Sequence, residues 1–249
     1  MNCREYGSKP YRVIVVHGGP GAIGSCAGIC RGLSDEFGVL EILQSKNSIR
    51  ELVEEMADVI NSYGLTEVAL VGHSWGAWLS FMFASVHPEF VSKLILVGSG
   101  LFDSKYYPQL IAASKATVMP DEQKRDLKSA NLYSETMEYN PYSYCLLPDL
   151  PDDTIVFQEK QCELLMNEIM PIRDSGELLS YCRDIRCPVT AIHGRNDPHV
   201  VDGVQIPLKE HLSNFKMFVL DRCGHEPWKE YYAKDKFFEI LKQELRFKN

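Results

Sequence analysis

The 249-residue sequence contains no apolar run near the roughly 20 residues a bilayer-crossing helix needs, which argues against a membrane-spanning role. It has no surplus of positive charge either. With 26 Lys and Arg against 34 Asp and Glu, the formal net charge is -8, so neither nucleic acid nor an anionic membrane is an expected partner. Paired thiols are missing too. Eight cysteines are scattered (Cys3, Cys26, Cys30, Cys145, Cys162, Cys182, Cys187, Cys223), with no Cys-x-x-Cys and no Cys/His set at zinc spacing. That distribution reads as reduced, buried thiols rather than a disulfide framework or a structural metal. The opening MNCREYGSKPYR lacks the apolar core of a signal peptide, so a cytoplasmic location is expected. No internal repeat or low-complexity tract occurs.

What is present is a globular balance, 45% hydrophobic and 24% charged residues. Short apolar runs alternate with helical patterns. YRVIVVHGG reads as a first strand, with none expected before it, and GVLEIL as a second. Residues 48–64 carry a helix with a Ser48/Glu51 capping box and a Gly64 stop. EVALVG, SKLILVGSG, CPVTAIHG and FKMFVLD supply further strands, and an amphipathic helix closes the chain. Nearly continuous apolar strands separated by helices predict an α/β fold: a mostly parallel sheet covered by helices on both faces. Residues 101–186 break the rhythm. They are rich in Tyr, Pro, Met and acidic residues, with helical patches expected over Asp121–Leu132 and Thr154–Glu168. They read as a helical cap insertion between core segments 1–100 and 187–249.

The stretch EVALVGHSWGAWLSF places one hydroxyl, Ser74, between Gly72 and Gly76, where a strand becomes a helix. Strand, Gly-x-Ser-x-Gly and helix in that order form the pattern of a nucleophile elbow. A turn this tight needs small flanking residues and presents the serine oxygen above the sheet. Acyl transfer also needs two N–H donors where negative charge develops. The backbone of Trp75 is one candidate. The glycine loop of VVHGGPG, with Gly19 ahead of Gly18, offers the other, and His17 reads as a brace for that loop.

A serine nucleophile needs a base, and the base needs an orienting carboxylate. Turns after later strands offer Asp197 in AIHGRNDPHV and His225 in FVLDRCGHEPW. Asp103 is an alternative acid, and His199 and His193 are alternative bases. His73 and His211 read as structural or surface residues. Chemistry of this kind asks for no metal or organic cofactor, and the expected partner is a small-molecule substrate.

HGGPG, GHSWG, HGRNDPHV and GHEPW together resemble an α/β-hydrolase, and within that fold the prolyl iminopeptidase branch. The resemblance runs from residue 17 to residue 225. It implies a triad of Ser74, Asp197 and His225, an oxyanion hole of Gly19 and Trp75, and a helical cap where residues 101–186 lie. Three functions follow as expectations: hydrolysis of a small carboxylic ester or thioester, removal of small N-terminal residues such as proline, or ligand binding without turnover on a hydrolase scaffold. The cap acids Glu159, Glu163 and Glu168 fit either an amino-group subsite or a solvated helix face. The cap tyrosines (Tyr106, Tyr107, Tyr133, Tyr139, Tyr142, Tyr144) fit either a pocket lining or lid packing.

Overall fold

Strand β1 (Cys3–Tyr6) opens the chain, ahead of β2 (Tyr11–Val16), where sequence reasoning places the first strand. The four-residue β1 runs antiparallel along an edge of the sheet, pairing Cys3 with Ile42 and Tyr6 with Val39. The chain continues through β3 (Ala22–Ile23), α1 (Ala27–Leu33), β4 (Gly38–Ile42), α2 (Ile49–Ser62), β5 (Val68–His73), α3 (Trp75–Val86) and β6 (Val91–Val97). Then come α4 (Tyr107–Ser114), α5 (Asp121–Ser129), β7 (Val156–Phe157), α6 (Glu159–Asp174) and α7 (Glu177–Ser180). The chain ends with β8 (Val189–Gly194), α8 (Asp202–His211), β9 (Phe215–Leu220) and α9 (Lys234–Leu245). This computed structural model describes residues 2–148 and 155–246; Thr154, the expected start of one helical patch, lies outside them.

Seven strands form one sheet in the order β1-β4-β2-β5-β6-β8-β9, and every neighbouring pair except β1 with β4 is parallel. The strand period of two explains the unbroken apolar runs. Ile14 and Val16 of β2 enter a core shared with α2 and α3, while Val13 and Val15 enter a second core shared with α1 and α9. Both faces are covered, so Val13 to Val16 run apolar without a break. Each fully buried Val, Leu or Ile contributes roughly 1.5–3 kcal/mol relative to exposure. Helix α3 is buried from Trp75 to Ser85, which explains why it lacks a polar stripe.

Helix α2 starts as its sequence predicts. Ser48 accepts the Glu51 N–H at 3.3 Å and donates to the Glu51 carboxylate at 2.7 Å. Helix α8 was not visible in the sequence because Pro207 sits inside it. Proline cannot donate to the carbonyl four residues back. That carbonyl, on Gly203, instead accepts the N–H of Phe102 at 3.0 Å.

Among the described residues between β6 and β8, helices α4 to α7 are the main regular structure, and β7, inside the stretch where a helical patch is expected, pairs antiparallel to β3. Helix α6 docks on the sheet-bearing part through polar contacts. Gln161 donates to the backbone oxygens of Gln44 (3.2 Å) and Lys46 (2.8 Å). Glu168 accepts the N–H of Ile49, in the first turn of α2, at 2.9 Å, so its carboxylate belongs to a helix-to-helix contact rather than a solvated face. Among the described residues no helix is long and apolar enough to cross a membrane.

Candidate active site

The turn from β5 to α3 holds Ser74 at φ 56°, ψ -118°, a left-handed conformation that costs a non-glycine residue strain energy. The flanking glycines are dictated by contact. A Cβ on Gly72 would lie 2.3 Å from the Gly76 oxygen, and one on Gly76 would lie 2.2 Å from the Val16 oxygen. The Ser74 N–H donates to the Val97 carbonyl at 2.9 Å, tying the turn to β6. Trp75 is the first residue of α3, so its backbone N–H has no partner within that helix. Ser74 and Trp75 line a cavity of about 470 Å³ that Gly18, Gly19, His199 and His225 also line.

The glycine loop is fixed from behind. His17 is fully buried; its Nδ1–H donates to the Gly18 carbonyl at 2.9 Å, and its Nε2 accepts the Gln44 N–H at 3.3 Å. Burial holds the imidazole neutral, its pKa lowered to about 4. Gln44, also fully buried, was not singled out from the sequence. Its side-chain amide donates to the His17 carbonyl at 2.7 Å and accepts the Trp75 indole N–H at 2.8 Å. One glutamine therefore joins the glycine loop to the serine turn.

Asp197 follows β8 and His225 follows β9. The His225 Nδ1–H donates to Asp197 Oδ2 at 2.7 Å. Burial alone would raise the Asp197 carboxyl pKa. The facing charges of His225 and His193, with hydrogen bonds from His199 and His225, outweigh burial and hold it well below the usual carboxylate range. For His225 burial disfavours the cation, but the Asp197 charge and hydrogen bond prevail and its pKa is raised. The His225 loop is held by its own N–H donating to the Tyr142 carbonyl at 2.7 Å. Buried Glu230 accepts the N–H groups of Tyr144 (2.8 Å), Cys145 (2.5 Å) and Gly224 (3.1 Å), joining the 142–145 segment to the same loop. The Ser74 hydroxyl makes no hydrogen bond to His225 in this structure; the two residues share the wall of one cavity. Contacts of this kind commonly tighten only when substrate is bound.

The other residues singled out in the sequence fall in distinct places. Asp103 caps a short helical turn, accepting the Lys105 N–H at 2.9 Å, and does not line the cavity. His73 is buried with its ring 4.8 Å from that of His225, and its Nε2–H donates to the His225 carbonyl at 3.2 Å. Burial, then the neighbouring His225 charge, keeps it neutral. His193 is buried and donates through Nε2 to the His199 carbonyl at 2.5 Å. His211 donates to the Pro207 carbonyl on α8. His199 does reach the site, with Nδ1 2.9 Å from Asp197 Oδ1. Tyr107 and Tyr142 line the cavity, whereas Tyr144 is buried in a small cluster with Leu127 and Cys145. Arg173 of α6, 4% exposed, lines the cavity and was not anticipated.

A parallel sheet with a strained serine between strand and helix is the architecture of an α/β hydrolase. The family model described as alpha/beta hydrolase fold matches residues 11–137, and the chain belongs to that family. Its relatives are hydrolases of several specificities. It is 25% identical to a 2-hydroxy-6-oxononadienedioate/2-hydroxy-6-oxononatrienedioate hydrolase from Burkholderia vietnamiensis, over 98% of this chain and 80% of that protein. It is 24% identical to a proline iminopeptidase from Lactobacillus delbrueckii subsp. bulgaricus, over 93% of this chain and 90% of that one. In fold it is similar to a meta-cleavage product hydrolase from Pseudomonas fluorescens, with a TM-score of 0.67, 18% identity, and coverage of 97% of this chain and 92% of that one.

Proposed function

We propose that the chain is a serine hydrolase that cleaves a small carboxylic ester or thioester through an acyl-enzyme. Ser74 Oγ attacks the carbonyl carbon while His225 Nε2 takes its proton. Asp197 holds His225 in the tautomer with Nδ1 protonated and stabilises the imidazolium that forms. The backbone N–H groups of Gly19 and Trp75 receive the oxyanion. His225 then returns the proton to the departing alcohol or thiol, and water, activated by the same imidazole, releases the acid and regenerates Ser74. Residues 101–186 act as the cap that closes the cavity over core segments 1–100 and 187–249. The observation that carries this reading is the 2.7 Å Asp197–His225 pair, whose imidazole lines the cavity that Ser74 also lines.

Arg173, though paired with Asp174 and sharing the cavity wall with Glu226, favours this reading over an aminopeptidase. Its guanidinium bonds Asp174 through Nε at 2.8 Å and Nη2 at 2.5 Å and lies 4.9 Å above the ring of Tyr107, and both Arg173 and Tyr107 line the cavity. A buried cation there opposes the α-ammonium of a peptide substrate and suits an acyl group carrying a carboxylate. The similarity to a dioate hydrolase points the same way.

A fluorophosphonate probe should label Ser74, with label lost in Ser74→Ala and strongly reduced in His225→Ala. A panel of short acyl esters, thioesters, carboxylate-bearing esters and proline amides should show ester turnover falling about 10⁴-fold or more in kcat for Ser74→Ala. Near-normal turnover in that variant would refute the assignment, and faster turnover of proline amides than of any ester would replace it with the peptidase.

A further inference from the structure

The proposed reaction uses one imidazole on Asp197, but the carboxylate serves two. Oδ2 accepts Nδ1–H of His225 at 2.7 Å, and Oδ1 accepts Nδ1–H of His199 at 2.9 Å together with the His199 backbone N–H at 2.9 Å. The two rings lie side by side, centroids 4.9 Å apart and planes 31° from parallel, and both line the cavity. One donor atom from each of Asp197, His199 and His225 can be chosen so that all three lie within 4.8 Å of one another. With both Nδ1 protons committed to the carboxylate, each ring is the tautomer whose Nε2 lone pair is available. Among the described residues neither Nε2 has a hydrogen-bond partner, and neither is sealed from solvent.

We propose that His199 and His225 form a binding site for a divalent transition-metal ion of the zinc type, bound through their Nε2 atoms and oriented by Asp197, and that the bound ion shuts off hydrolysis. A carboxylate hydrogen-bonded to the far nitrogen is the usual orienting partner of a metal-binding histidine, and here one carboxylate orients two. Its negative charge also offsets part of the ion's charge. Imidazole nitrogens select zinc, copper or nickel over magnesium or calcium. Zinc–nitrogen bonds of about 2.0–2.1 Å require two Nε2 donors roughly 3.4 Å apart on a tetrahedral ion. Convergence requires the His199 ring, on the loop after β8, to tilt about its Nδ1–H···Oδ1 hydrogen bond without leaving Asp197, and solvent in the cavity completes the coordination. His193 holds the His199 backbone in place through its 2.5 Å hydrogen bond to the His199 carbonyl.

Inhibition follows because the ion occupies the lone pair that would accept the Ser74 proton. That consequence rests on the function proposed above, whereas the binding itself does not. Calorimetric titration of ZnCl₂ into the intact protein, with Co²⁺ absorption as a second readout, should show a saturable site of one ion per chain. MgCl₂ and CaCl₂ should give none. His199→Gln and His225→Gln should each weaken binding by roughly 10- to 100-fold or more. In the ester assay, zinc should inhibit the wild type reversibly, with chelator restoring the rate. His199→Gln, measured against its own zinc-free rate, should need at least about tenfold more zinc for half-inhibition. No saturable binding, or binding unaltered in both variants because the ion sits on cysteines elsewhere, overturns the site. Saturable binding without inhibition overturns the regulatory half. If no ester is turned over at all, the hydrolase reading fails while the calorimetry still decides the metal site.

Discussion

Replacing Gln44 by Leu tests how the two halves of the proposed oxyanion hole are held together. The side chain keeps its volume but loses two hydrogen bonds, the 2.7 Å donation to the His17 carbonyl and the 2.8 Å acceptance from the Trp75 indole. Gln44 is fully buried, so neither orphaned group regains a partner from bulk water. At about 1–3 kcal/mol for each unsatisfied buried group, the expected destabilisation is about 2–6 kcal/mol, read from urea unfolding. Catalysis should suffer separately. Deleting an oxyanion donor outright costs about 10²–10³ in kcat, and here the donors are displaced rather than deleted, so a fall of about 10- to 100-fold is expected. KM should change little, because the ground-state carbonyl binds this hole more weakly than the developing oxyanion does. Gln44 touches no substrate; it is a positioning residue. Loss of stability with kcat within twofold of wild type would refute the linkage between Gln44 and the donors.

Two further outcomes follow from the same geometry. The base must be neutral to accept the Ser74 proton, and Asp197 raises the His225 pKa above its ordinary value near 6.5. The acidic limb of kcat/KM should therefore have its midpoint above about 6.5, rising with pH, and Asp197→Asn should shift it downward; a wild-type midpoint below 6.5 would contradict the pairing. Glu230→Ala leaves three buried N–H groups, on Tyr144, Cys145 and Gly224, without their acceptor and should cost about 3–9 kcal/mol by urea unfolding, with a loss under about 1 kcal/mol arguing against the strap.

The parts of the molecule legible in the sequence are those where local pattern and tertiary role coincide. Val68–Val71 is apolar throughout because the sheet is covered twice, and Gly72 and Gly76 are small because backbone from a neighbouring turn and strand lies where a Cβ would go. Residues placed just past β8 and β9 reach the cavity because parallel strands deliver all their carboxyl ends to one edge. Strand β1 was hidden because Cys-Arg-Glu-Tyr has no apolar alternation; it is an edge strand held by backbone pairing to β4. Gln44, Arg173 and Glu230 were hidden for a different reason. The roles of Gln44 and Glu230 are set by partners 31 and 86 residues away, Trp75 and Tyr144, and Arg173 lies against the ring of Tyr107. No spacing rule encodes such a partner, since a glutamine in LEILQSKN reads as any polar loop residue until Trp75 is folded against it. Glu168 shows the same ambiguity resolved by contact: on a helical wheel it is one more exposed acid, and in the fold it accepts the Ile49 N–H. Chemistry-bearing positions are thus readable where the backbone forces the residue type. The polar partners that tune them emerge only from the packing, and His199, two residues from Asp197 in sequence, shows that even a close neighbour acquires its meaning from where the turn aims it.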